Sequence, residues 1–384
     1  MDRKALMVAT VASTIGQFNM NNIKILQNMG FEVHVACDFE DQSVWTRERV
    51  DTFLEEMKCL GVSYYQIDFS RNPISVKKHL TAYKQLKKIF ADNQYEFVHC
   101  HTPVASAICR MVAHKMNTKC IYTAHGFHFY KGAPLKNWLI FYPIEKVLSR
   151  WTDVLITINR EDYRRAEKQF HAKHTEYVPG VGIDIKKINS EKTGREDIRR
   201  SLGVSENDIV LLSVGELSPR KNHEVIIRAI QKIDNRNIKY FICGQGNLEE
   251  KLKILVHELG LDRQVQLLGF RTDVYELYHA ADLFVFPSFQ EGLPVALMEA
   301  MACDLPCVVS NIRGNNDLIE DGINGYLCPP DDVAEFVTGI EKLINNGQLR
   351  KQFSQENRKK IKDYDIRIID ESMRKIYSYE RTIS

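Results

Sequence analysis

No apolar run in this 384-residue chain approaches the length of a membrane-spanning helix, so a spanning protein is not expected. Nine cysteines occur without a single C-x2-C pair, and Cys303 and Cys307 lie four apart across an expected helix-to-strand turn. An odd number with no framework excludes a disulfide scaffold and points to reduced thiols in the cytoplasm. The first ten residues, Met1-Asp-Arg-Lys-Ala-Leu-Met-Val-Ala-Thr10, begin basic, but their apolar core is too short for a secretion signal and reads as a first strand. No internal repeat or low-complexity tract is present. An excess of one charge is lacking too, at a net +2, and no nucleic acid is expected as a partner. What remains is ordinary for a soluble globular chain, 44% apolar and 27% charged, and long enough for two cores.

The small net charge hides an asymmetry. Residues 1–178 hold 24 Lys and Arg against 18 Asp and Glu, whereas residues 179–384 hold 28 against 32. A basic first half and an acidic second half imply different partners for each.

Strand-like and helix-like segments alternate along both halves. Strands are expected at 5–11, 32–36, 62–67, 97–99, 119–123 and 154–158, with a loop through Ser13-Thr-Ile-Gly-Gln17 after the first. A second series runs through 209–214, 238–243, 265–268, 283–286 and 306–309, with helices from Val333 onward. This rhythm specifies α/β architecture: two Rossmann-like, doubly wound parallel sheets facing a central cleft. The expected division is 1–178 for the first domain, 179–206 for a polar linker, 207–362 for the second domain and 363–384 for a last helix packing back across the hinge. Ligands of such sheets bind at the carboxyl ends of the strands, which makes the cleft the default site.

The stretch Phe286-Pro-Ser-Phe-Gln-Glu-Gly-Leu-Pro-Val-Ala-Leu-Met-Glu-Ala-Met-Ala302 carries the most chemistry. Glu291 and Gly292 fall between an apolar strand and a helix opened by Pro294, and that helix is apolar except at Glu299. Two carboxylates can grip sugar hydroxyls, while the amides of Gly292, Leu293 and Val295 at a helix start attract phosphate. Glu291 as a helix cap with Glu299 solvated or salt-bridged is the structural alternative. In Gly215-Glu-Leu-Ser-Pro-Arg-Lys-Asn-His223, Arg220 and Lys221 precede a helix, where cations oppose the dipole and a bound phosphate would offset that cost; a solvated basic pair is the plainer account.

Cys243-Gly-Gln-Gly-Asn-Leu-Glu249 offers Gly244 for close approach, but Glu249 stands where the dinucleotide fingerprint needs a third glycine, which disfavours NAD. Gly269-Phe-Arg-Thr-Asp273 puts Arg271 near a base-facing wall, or is a turn in which Asp273 caps the next helix. In the first half, Gly16 would admit a phosphate or sugar, and His125, His128 and His101 lie at carboxyl strand ends on the cleft edge. No ligand spacing supports a defined metal site around them. Residues 71–90 contain Arg71, Lys77, Lys78, Lys84, Lys87 and Lys88 and no acid: a solvated helix face, or a contact with anionic lipid to which the aromatic run 131–150 adds apolar area.

Glu291 and Glu299 as E-x7-E, the loop Gly215 to Lys221, the Gly269-Phe-Arg turn and the glycine after the first strand together resemble family 4 glycosyltransferases of GT-B fold, over nearly the whole chain. More narrowly, Ala124-His-Gly-Phe-His-Phe-Tyr-Lys-Gly-Ala-Pro134 and Tyr142-Pro-Ile-Glu-Lys146 resemble bacterial enzymes of the capsular and exopolysaccharide type. The resemblance implies retaining, metal-independent transfer of a sugar, of UDP-hexosamine type, to a lipid-linked saccharide, by a cytoplasmic enzyme peripheral at the inner membrane face. It assigns Lys221 to the diphosphate, Glu299 to the ribose, Glu291 to the donor sugar hydroxyls, His125 to the sugar near the reacting centre, and Gly16 to the phosphate side. Glu216 departs from the arginine many members carry after that loop's glycine, and Arg220 is the expected substitute. A UDP-sugar 2-epimerase of similar fold and a non-enzymatic sugar-nucleotide-binding protein are the alternatives.

Overall fold

In the computed structural model, which describes residues 3–72, 74–190 and 194–379, thirteen strands form two sheets. The first holds β1 (Arg3–Val11), β2 (Phe31–Asp38), β3 (Ser63–Gln66), β4 (Phe97–His101), β5 (Lys119–Ala124), β6 (Val154–Thr157) and β7 (His174–Tyr177), in the order β3-β2-β1-β4-β5-β6-β7. The second holds β8 (Ile209–Val214), β9 (Ile238–Cys243), β10 (Val265–Gly269), β11 (Leu283–Phe286), β12 (Cys307–Ser310) and β13 (Gly325–Cys328), in the order β10-β9-β8-β11-β12-β13. Neighbouring strands are parallel throughout both. Both sheets are therefore doubly wound, and each reverses direction once, between β1 and β4 in the first and between β8 and β11 in the second. At such a switch point adjacent loops part to opposite faces and leave room for a ligand.

The alternation of side chains along β1 shows why the first sheet needs covering on both faces. Ala5, Met7 and Ala9 enter one apolar core, while Leu6 and Val8 enter the other. The chain divides into two compact units, one comprising the residues through Val181 with those from Ile369 on, the other Gly182–Ile368. The last helix, Ile366–Tyr379, brings Ile369, Met373, Ile376 and Tyr377 into the core of the first unit.

Three local outcomes differ from the sequence reading. The loop expected after β1 is the helix Ala12–Phe18, so Gly16 is helical, and a Cβ there would come within 2.2 Å of the Trp45 ring. Strands β7 and β13, absent from the expected series, carry no apolar run to announce them: β7 is His-Thr-Glu-Tyr with no buried residue, and β13 opens on Gly325 with its two middle residues only partly buried. The polar run after Pro179 contains the helices Ile185–Ser190 and Arg195–Ser201. Arg199 ties the second of them to its unit by donating to the Asp208 and Ala280 carbonyls and to Asp282. Among the described residues, no helix is long and apolar enough to cross a membrane.

Candidate functional site

At the switch point of the second unit, the loop after β8 meets the loop after β11. Lys221 Nζ donates to Glu291 Oε1 at 2.8 Å, and Arg220 Nη1 donates to the same oxygen at 2.9 Å and to the Gln290 carbonyl at 3.0 Å. Phe289 N–H donates to the Arg220 carbonyl, which joins these two loops, and Arg313 Nε, from the loop after β12, donates to the Glu291 carbonyl. Lys221 and Glu291 are each 9% exposed. Burial lowers the Lys221 pKa, and the Glu291 carboxylate opposes that shift. Glu291 therefore does not cap the following helix, Val295–Ala302, which opens with no side-chain cap and leaves its first amides to other partners. Arg220 converges on Lys221 and also stands 4.0 Å from Glu216.

A signal that sequence reasoning did not use surrounds this point. Ser218 Oγ, both ring nitrogens of His223, Ser288 Oγ, Ser310 Oγ and Asn315 Oδ1 are buried without a hydrogen-bond partner. All five residues follow β8, β11 or β12 or end one of them, at the carboxyl edge of the sheet. Unsatisfied polar atoms are rare in protein interiors, and their concentration here marks a polar site rather than a packing surface.

Glu299 lies on the inner part of the helix Val295–Ala302. The Tyr275 and Tyr278 hydroxyls are 3.4 and 3.3 Å from its two oxygens. Burial pushes its pKa up to about 7, with the two tyrosines pulling the other way. Arg271 is paired in a fork to Asp273 on its own turn, so Asp273 does not cap the helix after it. Gly244 has a packing reason of its own, since a Cβ would stand 1.9 Å from the Gly215 carbonyl oxygen. Gly215 in turn lies against the Lys221 side chain, where a Cβ would meet Cε at 3.1 Å. Gly292 and Leu293 precede the uncapped helix, with Leu293 buried and the Gly292 carbonyl packed against Gly314.

In the first unit the histidines separate. His101 is 1% exposed, and its Nδ1 sits 3.1 Å from His125 Nε2 while its Nε2 sits 3.2 Å from Met7 Sδ. It is a buried partner of His125, and both rings line one cavity together with Phe18 and Thr123. His125 is half-buried, and burial lowers its pKa to about 4. His128 packs against Phe141, ring centres 4.6 Å apart and tilted, and lines a different cavity of about 260 Å³, shared with Thr10, Thr14, Arg71 and Thr102 at the switch point between β1 and β4. Among the described residues no three His, Cys, Asp or Glu side chains converge as a metal site.

The comparisons agree with this architecture. The profile of the family described as "Glycosyl transferases group 1" matches residues 194–360, and that of "Glycosyl transferase 4-like" matches residues 5–159. A protein of Bacillus subtilis strain 168 that carries the name glycosyltransferase EpsD is 34% identical over 98% of this chain and 97% of its own. The UDP-Gal:alpha-D-GlcNAc-diphosphoundecaprenol alpha-1,3-galactosyltransferase of Escherichia coli is 27% identical over 87% of this chain and 85% of its own. Among solved structures, Anabaena HepE in complex with UDP superposes with a TM-score of 0.79 at 21% identity, over 98% of this chain and all of that one. With two doubly wound sheets and relatedness along its whole length, the chain belongs to the family 4 glycosyltransferases of GT-B fold.

Proposed function

We propose that this glycosyltransferase moves a sugar, of hexosamine type, from a UDP donor to a lipid-linked saccharide in bacterial surface polysaccharide synthesis, with retention and without a metal. The observation that carries the reading is the convergence of Lys221 and Arg220 on Glu291 beside an uncapped helix end, ringed by unsatisfied buried polar atoms. Relatedness to an enzyme whose name contains both a UDP-sugar and a diphosphoundecaprenol acceptor supports the donor and acceptor classes.

An arriving diphosphate takes over Lys221 and Arg220 from Glu291. The freed carboxylate then accepts hydrogen bonds from donor sugar hydroxyls, and Glu299 accepts from the ribose. As the bond from the anomeric carbon to the diphosphate oxygen breaks, the acceptor hydroxyl oxygen bonds that carbon from the same face and gives up its proton to the departing oxygen, on which negative charge grows. The two cations and the amides of Gly292, Leu293 and Val295 stabilise it there, so leaving-group stabilisation is the main catalytic contribution. His125 contacts the donor sugar, and the cavity beside Arg71 and His128 receives the acceptor. The basic helix Val76–Asp92 and the helix Leu135–Leu148 hold this unit to the inner face of an anionic membrane.

Calorimetric titration with UDP tests the donor assignment. Lys221→Ala and Glu299→Ala should each weaken binding by about 1–3 kcal/mol, the scale of a charge-assisted hydrogen bond. Unchanged affinity in both would remove it. Nucleotide sugars offered with lipid-diphosphate acceptors, read by product mass, identify the sugar moved; product formed without acceptor would instead indicate an epimerase.

A further inference from the structure

The pair His101 and His125 admits one consistent placement of protons. Met7 Sδ, a thioether with lone pairs and no hydrogen, faces His101 Nε2 at 3.2 Å. A lone pair on that nitrogen would meet the sulfur lone pairs, so His101 carries its proton at Nε2. A neutral imidazole has only one such proton, and His101 Nδ1 is therefore an acceptor. The group facing it at 3.1 Å is His125 Nε2, which must be the donor. His125 Nδ1 is left as a bare acceptor, with no partner among the described residues. His99, whose ring centre lies 4.2 Å from that of His101 at a tilt, uses both of its nitrogens on Tyr377 and Thr123 and does not compete.

We propose that His101 is a positioning residue that locks His125 in its Nε2-protonated tautomer, so that His125 presents a lone pair to a hydrogen-donating group of the substrate. This rests on the reading of His125 as a contact to the donor sugar, and it narrows that contact to a hydroxyl or amide N–H while disfavouring a phosphate oxygen. Burial holds the set neutral, lowering His99 to about 3, His125 to about 4 and His101 in the same direction. The arrangement works as a second layer of hydrogen bonds that fixes which ring nitrogen is free.

Nitrogen-15 NMR of the full-length protein labelled at histidine tests the lock, with His125→Gln identifying the resonances. The native protein should show His125 protonated at Nε2 and bare at Nδ1. His101→Leu should give a mixture of tautomers and lower kcat/KM about tenfold, the scale of one misplaced hydrogen bond. His101→Asn, whose Oδ1 occupies roughly the place of Nδ1, should restore the single tautomer and bring kcat/KM back to within about threefold. A native His125 protonated at Nδ1, or an unchanged His125 spectrum in His101→Leu, would overturn the proposal. If the leucine variant does not fold, the native and asparagine spectra still decide. If no nucleotide sugar turns over in any variant, the reading of the reaction fails while the tautomer result stands by itself.

Discussion

Lys221 and Glu291 illustrate how a residue can be held ready by its own competitor. One carboxylate accepts from two cations, so anion binding must break contacts of 2.8 and 2.9 Å before forming its own. Glu291→Gln removes the competing charge. It should tighten UDP binding by about 1 kcal/mol while lowering turnover, because the sugar loses its acceptor; weaker UDP binding by calorimetry would argue against the competition. Glu299 supplies a pH effect. Its carboxyl titrates at about 4.5 when unfolded and about 7 when folded, so between those values the folded chain retains a proton that the unfolded chain has shed. Stability is therefore highest below the lower value and falls as pH rises through the upper one, by about 3 kcal/mol in total. Denaturation of the second unit across that window should show this decline, and Glu299→Gln should remove it. Equal slopes in the two proteins would contradict it.

At the scale of elements, the helix Leu135–Leu148 is held from beneath by an ion pair and exposes an apolar face above. Arg110 Nη2 lies 2.9 Å from Glu145 Oε2, both side chains are nearly inaccessible, and the guanidinium packs over Tyr122. Glu145→Ala strands a buried guanidinium and should cost about 3–5 kcal/mol in denaturant unfolding. Arg110→Met with Glu145→Leu should recover most of that loss, and a double variant as unstable as the single one would discount the pairing. On the outside, Leu135, Leu139, Ile140, Ile144 and Val147 are exposed in one helix, while Lys84, Lys87 and Lys88 are exposed on the helix Val76–Asp92. Reversing these three lysines to glutamate should weaken sedimentation with anionic vesicles by about 1 kcal/mol per charge and leave UDP affinity unchanged. Equal vesicle binding would eliminate this surface as a membrane contact.

Across the whole molecule, the chain leaves its first unit at Val181 and returns at Ile369 to complete that unit's core. Tyr377 is fully buried, stacks on Phe97 and hydrogen-bonds His99, although it lies 278 residues away from that histidine in sequence. Tyr377→Ala should destabilise the first unit by about 3–5 kcal/mol, the cost of an aromatic cavity, and leave UDP binding by the second unit intact. Thermal unfolding followed with and without UDP separates the two effects; an unchanged first transition would mean that the last helix is not part of that core.

The order of strands and helices, the placement of Glu291 and Lys221 on loops after strands, and the family were legible in the residues, because periodicity and loop chemistry are local. The expected role of Gly16 rested on a loop that forms a helix, and Gly16 and Gly244 are required where Trp45 and the Gly215 carbonyl approach. The burial of His101 behind His125, the unsatisfied ring of Ser218, His223 and Ser288, and the raised pKa of Glu299 depend on which strands become neighbours. Sequence by itself determined which groups stand at the ends of strands. Only the tertiary structure decided which of them meet, since hydrogen bonding and desolvation act over a few ångströms between residues that the chain separates by tens or hundreds of positions.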